Sequence, residues 1–259
     1  MPESATTHLP LAMNMHGSNG PVLVFGNSLG TNSSIWARQV ARCSSRFRIV
    51  QFDYPGHGSA PDWKPYHLNE LAEAVATGLE RLGIRRFAYC GVSMGGALGV
   101  ELALAYPERL AALVLCNTAA QFGTPEFWQA RMEMASRDGL SAISTSTVAR
   151  WLTEEDAADN PHKVQALQQI FESTSLDGYL HACHAVMHVD LRDRLKDVTV
   201  PTLIVAGSFD QATRPVQAQE LHNSIKGSAY VELPAAHLGH LGAEDAFDRA
   251  LIEFLEQTT

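Results

Sequence analysis

Gly91-Val92-Ser93-Met94-Gly95 decides how this chain is read. It follows the short apolar run Phe87-Ala-Tyr-Cys90 and precedes Met94 to Tyr106, a segment rich in Ala, Leu and Gly that stops before Pro107. That succession predicts a strand, a very tight turn and a helix buried against a sheet. A bend so sharp holds the central residue at strained dihedrals, and only glycine at the flanking positions keeps side chains off the neighbouring backbone. The consequence is a serine hydroxyl presented at the end of a strand, which makes Ser93 the candidate nucleophile.

Working outward, the same rhythm recurs. Val22-Leu-Val-Phe25, Phe47-Arg-Ile-Val-Gln-Phe52, Leu113-Val-Leu-Cys116, Thr202-Leu-Ile-Val-Ala206 and Tyr230-Val-Glu-Leu233 are short apolar runs, each leading into turn residues. Helical patterns stand between them, such as Leu68 to Leu82, which ends at Gly83, and Phe247 to Leu255. Alternation of this kind predicts an α/β fold with a mostly parallel sheet flanked by helices. The rhythm breaks between about Gln121 and Lys196, where four helices are expected: Pro125–Arg137, Leu140–Leu152, Pro161–Ser173 and Leu176–Val189. The expected organisation is a core of residues 1–120 and 196–259 with an inserted helical cap, 121–195.

A serine hydroxyl is a weak nucleophile at neutral pH and needs a base oriented by an acid. On such a sheet these should follow the serine in the order acid, then histidine, at the carboxyl ends of later strands. Asp210 follows the Thr202–Ala206 run through Gly207-Ser-Phe, and His237 follows the Tyr230–Leu233 run through Pro234-Ala-Ala. His240 is the rival base but stands farther from the strand end. Asp190 and Asp193 precede the strand and read as a solvated helix face. An oxyanion needs backbone donors, and the amides of Met94 and of Leu29, in Asn27-Ser-Leu-Gly30, are the candidates. Ser28 has no elbow around it. His57, in Asp53-Tyr-Pro-Gly-His-Gly58, reads as part of a structural turn anchoring the loop beside the site. His181, His184 and His188 would share one face of a cap helix, where packing or pocket lining is expected rather than a metal site.

Composition narrows the functions. The chain has 259 residues, 46% of them hydrophobic and 18% charged, enough for one large core. A formal net charge of −9 argues against nucleic acid as a partner, since phosphate binding needs clustered Lys and Arg. Cys43, Cys90, Cys116 and Cys183 are too scattered for a disulfide framework or zinc motif and suit a reducing compartment. Met1 to Pro10 lacks a signal-peptide pattern, and no apolar run is long enough to span a membrane. A cytoplasmic protein without a membrane partner is expected; the residues are silent on oligomeric state.

Taken together, the chain resembles the 3-oxoadipate enol-lactonases of aromatic catabolism, within the α/β-hydrolase superfamily. The resemblance runs from about Pro21 to Leu255. It rests on Gly26-Asn-Ser-Leu-Gly-Thr31 with Trp36, on Cys90-Gly-Val-Ser-Met-Gly-Gly96, on Pro107-Glu-Arg-Leu110, and above all on Leu113-Val-Leu-Cys-Asn-Thr-Ala-Ala120. Trp151-Leu-Thr, Gly178-Tyr179, Cys183, Asp190-Leu-Arg192, Pro201 to Gly207 with Asp210, and Ala235-Ala-His-Leu238 are also similar. The chain departs from the family at Pro55, where arginine is usual. The resemblance implies an α/β-hydrolase fold and an ester hydrolase that opens a small lactone without metal or organic cofactor. Its triad would be Ser93, Asp210 and His237, and its oxyanion donors Leu29 and Met94. Residues read as lining the substrate site are Trp36, Arg131, Trp151 and His184, with Arg131, Arg150 and Arg192 as candidates to hold a substrate carboxylate.

Overall fold

A strand that is apolar at every position needs cover on both faces. In the computed structural model, which describes residues 11–64 and 66–259, Val22 to Phe25 and Leu110 to Cys116 are buried throughout. The reading of Met1 to Pro10 lies outside the described residues. Seven strands stand among the described residues: β1 (Ala12–His16), β2 (Val22–Gly26), β3 (Arg48–Asp53), β4 (Phe87–Val92), β5 (Leu110–Cys116), β6 (Thr202–Gly207) and β7 (Ala229–Leu233). They form one sheet in the order β1-β3-β2-β4-β5-β6-β7. Only the β1–β3 pair is antiparallel, with Ala12 opposite Asp53 and His16 opposite Ile49.

Strand residues alternate between two cores. Val24, Phe52, Tyr89, Leu113 and Ile204 pack on one side, against α2 (Leu68–Arg81) and α3 (Met94–Ala105). Phe25, Ile49, Cys90, Val114 and Val205 pack on the other, with residues of α1 (Ala37–Cys43) and the C-terminal helix (Glu244–Thr258). The chain runs from β2 to β3 in one direction along the sheet and returns past β2 to β4. The loops after β2 and β4 therefore part at neighbouring strand ends, leaving the crevice where ligands of open α/β sheets bind.

The stretch between β5 and β6 is helical, as expected, but holds five helices: α4 (Pro125–Asp138), α5 (Leu140–Val148), α6 (Glu154–Asp159), α7 (Pro161–Glu172) and α8 (Leu176–Met187). The unforeseen one, α6, has no buried residue and hence no apolar stripe to read. α5 ends at Val148, earlier than its pattern suggested, because the next residues serve elsewhere. The Arg150 and Trp151 carbonyls accept from the amides of His237 (3.4 Å) and Leu238 (2.9 Å). A bond from Leu191 N–H to the Ala120 carbonyl, 2.9 Å, closes the base of the segment. α9 (Pro215–Ser224), α10 (Gly239–Gly242) and α11 (Glu244–Thr258) complete the element order.

Candidate active site

Ser93 sits between β4 and α3 with φ 56° and ψ −119°, a conformation that L side chains avoid. The turn is tight because α3 lies almost on the β2 loop: Gly95 N–H donates to the Asn27 carbonyl at 3.0 Å. A Cβ on Gly95 would stand 2.5 Å from the Gly26 carbonyl oxygen, and one on Gly91 would stand 2.2 Å from that of Gly95. The serine's own backbone is held on both sides. Its N–H donates to the Cys116 carbonyl at 2.9 Å, and Thr118 Oγ1 donates to its carbonyl at 2.7 Å.

Asp210 lies on the loop after β6 and is buried. Its Oδ2 accepts from His237 Nδ1 at 2.9 Å, Thr213 Oγ1 at 2.7 Å and Asn117 Nδ2 at 3.0 Å, while Oδ1 accepts from the Ala212 and Thr213 amides. Burial alone would raise its pKa, but His237 and the Thr213 donors outweigh it and hold the carboxyl at about 2. A permanently ionised carboxylate on Nδ1 keeps that nitrogen protonated and leaves Nε2 as the lone-pair nitrogen. Ser93 and His237 line one pocket without a direct hydrogen bond, a contact that commonly tightens only when the reacting group is in place. Asn117, buried at φ 43°, is the member of this set that sequence reading missed. Its amide also donates to the Ala236 carbonyl at 3.1 Å, tying the end of β5 to both the Asp210 and His237 loops.

Two backbone amides on different elements lie beside the serine, one next to it in the chain and one in the lining of the same pocket. Met94 is the first residue of α3, where an amide has no intrahelical acceptor. Among the described residues the Leu29 amide donates to no protein acceptor, and Leu29 lines the pocket.

The pocket, about 240 Å³, is walled by Phe122, Phe127, Trp128 and Trp151 and carries the guanidiniums of Arg131 and Arg150. Arg131 donates from Nε to the Tyr179 hydroxyl (2.5 Å) and from Nη2 to Thr147 Oγ1 (2.7 Å). Among the described residues neither arginine pairs with a carboxylate. Burial, and then the Arg131 charge, lower the pKa of Arg150.

Several expectations need correction. Trp36 does not line the pocket: it is fully buried, with its ring between Phe25 (4.6 Å between centroids) and His240 (4.1 Å). The turn that follows the β2 loop, Ser33–Trp36, swings it into the core. His184 also lies outside the pocket, packed with His188 (4.3 Å) and His67 (5.6 Å) where α8 meets the start of α2. Among the described residues no group of His, Cys, Asp and Glu is arranged to hold a metal ion. Arg192 is exposed and bound to Asp190. Arg131, Arg150 and Trp151 do line the pocket, joined by Trp128 and Phe127, whose helical pattern gave no sign of which face would meet Ser93. His240 is fully buried and pushed down to about 3, chiefly by burial, so it stays neutral within the core.

Known proteins show the family. Residues 21–244 match the model of the alpha/beta hydrolase fold family. The chain is 34% identical to 3-oxoadipate enol-lactonase 2 of Acinetobacter baylyi, over 89% of this chain and 87% of that one. It superposes on the crystal structure of the enol-lactonase from Burkholderia xenovorans with a TM-score of 0.93 at 36% identity, covering 95% and 96% of the two chains. A thermophilic esterase from Thermogutta terrifontis, solved with malate bound, gives 0.90 at 26% identity over 96% and 93%. With a strained serine at the switch point of its sheet and likenesses running nearly its full length, the chain belongs to the alpha/beta hydrolase fold family.

Proposed function

We propose that this ester-hydrolysing enzyme opens a small anionic enol-lactone, 3-oxoadipate enol-lactone foremost, by attack of Ser93. The observation that carries the reading is a compact aromatic pocket lined by Ser93, His237 and two arginines that no carboxylate among the described residues neutralises. Both arginines are half-buried, and charge withdrawn from water without a counter-charge is costly, so a pocket that keeps two such cations suits a substrate bringing its own carboxylate. Malate, itself a dicarboxylate, is the ligand named with the similar T. terrifontis esterase.

In this mechanism Nε2 of His237 takes the Ser93 proton as Oγ attacks the lactone carbonyl. The Leu29 and Met94 amides receive the tetrahedral oxyanion. Collapse breaks the bond to the ring oxygen, which leaves as an enol with the proton returned by His237 and tautomerises to the ketone. Water, deprotonated by His237, then frees the acid and restores Ser93. Asp210 holds the imidazole in the productive tautomer and stabilises its charged form. The segment from α4 to α8 acts as the cap, supplying Arg131 from α4 and Arg150 and Trp151 from the turn after α5 to the substrate.

Ser93→Ala should lower kcat on the enol-lactone by at least about 10³-fold with the melting temperature unchanged. Near wild-type turnover by that variant overturns the reading. A wild type that cleaves p-nitrophenyl esters but leaves the lactone untouched moves the substrate, not the nucleophile.

A further inference from the structure

The loop after β2 carries an unusual pair of restraints on the two peptide units that flank Leu29. The first is the Ser28–Leu29 unit. Its carbonyl accepts two bonds from one residue, Thr31 N–H at 3.1 Å and Thr31 Oγ1 at 2.8 Å. In a trans peptide the carbonyl and the N–H point in opposite directions, and the described residues hold no cis peptide. Clamping the Ser28 oxygen towards Thr31 therefore aims the Leu29 N–H the other way. The second is the Leu29–Gly30 unit, whose N–H donates to His57 Nε2 at 3.2 Å. That nitrogen can accept because Nδ1 faces the Pro55 carbonyl at 3.0 Å, an atom that only accepts, so the proton resides on Nδ1. Fixing the planes on both sides of Leu29 fixes its φ and ψ.

We infer that Thr31 and His57 are positioning residues for oxyanion stabilisation, locking the Leu29 amide in the direction from which it meets the developing charge. The inference rests on the serine-hydrolase reading above. Both side chains are fully buried, and burial lowers the His57 pKa, which preserves the neutral, accepting Nε2. Neither residue lines the pocket, so neither contacts substrate. A donor already aimed at the transition state avoids reorganisation during the reaction, and a displacement of about 1 Å in such a group can cost about a hundredfold in rate.

The test compares Thr31→Val, which keeps shape but loses the hydroxyl, with Thr31→Ser, which keeps the hydroxyl. His57→Leu is compared likewise with His57→Gln, whose amide offers one acceptor and one donor. Thr31→Val should lower kcat about tenfold with KM within about twofold, and His57→Leu about 10- to 100-fold, with most activity regained in the Ser and Gln variants. The decisive readout is an alkylboronic acid, which forms a tetrahedral adduct on a serine. Its Ki should rise by the same factor as kcat/KM falls. Should His57→Leu fail to fold, the Thr31 pair decides alone. A Thr31→Val enzyme with wild-type kcat and boronate Ki, or one that loses only thermal stability, overturns the inference. A wild type that a fluorophosphonate fails to label at Ser93 overturns the underlying reading and the inference with it.

Discussion

Asp210 and Asn117 illustrate how one residue can depend on another nearly a hundred positions away. The Asn117 amide donates to the Asp210 oxygen that also holds His237, and to the carbonyl of Ala236, directly before that histidine. A hydrogen bond to a charged acceptor contributes about 1.5–3 kcal/mol. Asn117→Gly tolerates the left-handed backbone conformation at φ 43° and removes the side chain with its amide. It should lower kcat about tenfold with KM nearly unchanged, measured on any ester the enzyme turns over; unchanged kcat would mean Asp210 and His237 need no outside support. Sequence reading paired Asp210 with His237, which are hydrogen-bonded in the structure, because each follows its own strand at short range. It missed Asn117 because the link exists only once β5 and β6 lie side by side. Trp36, read as substrate-lining alongside the family resemblance, shows the reverse: it is near the Leu29 loop in sequence, yet the intervening turn sends its ring into the core.

Among elements, the junction of β2 with α3 sets the geometry of the whole site. Gly95 brings the first turn of α3 onto the backbone of Gly26 and Asn27, and the Asn27 side chain reaches across to the Phe52 carbonyl at 2.7 Å. Two backbones this close leave no soft neighbour to give way. Gly95→Ala should therefore cost about 3 kcal/mol or more in urea unfolding and remove activity even in the folded fraction. A variant with wild-type stability and kcat would refute this view of the elbow. The central strands and α3 were readable because burial on two faces leaves uninterrupted apolar runs. β1 and α6 were not. β1 is a largely exposed edge strand, Ala12-Met-Asn-Met-His16, held through its backbone pairing with β3. α6 stands on a Thr153 cap and acidic first-turn residues, with no buried face. Such elements leave little periodic signal for a pattern to catch.

At the scale of the molecule, two electrostatic influences on an anionic substrate oppose each other. The chain carries a formal net charge of −9, which repels an approaching anion. The pocket carries Arg131 and Arg150 with no carboxylate among its described lining residues, and these cations attract an anion already inside. Salt separates the two, because exposed charges are screened beyond about 8 Å at physiological ionic strength while partly buried ones are screened far less. Raising salt from about 10 to about 300 mM should thus increase kcat/KM for the anionic lactone roughly twofold, and leave a neutral p-nitrophenyl ester unchanged. In the Arg131→Met, Arg150→Met double variant the preference for the anionic over the neutral substrate should fall about a hundredfold, while the direction of the salt effect persists. A wild-type rate on the lactone that falls with salt would mean the arginine field reaches well outside the pocket and dominates approach. A double variant that keeps its preference would place the carboxylate against some other group, and with it the orientation of the lactone ring over Ser93.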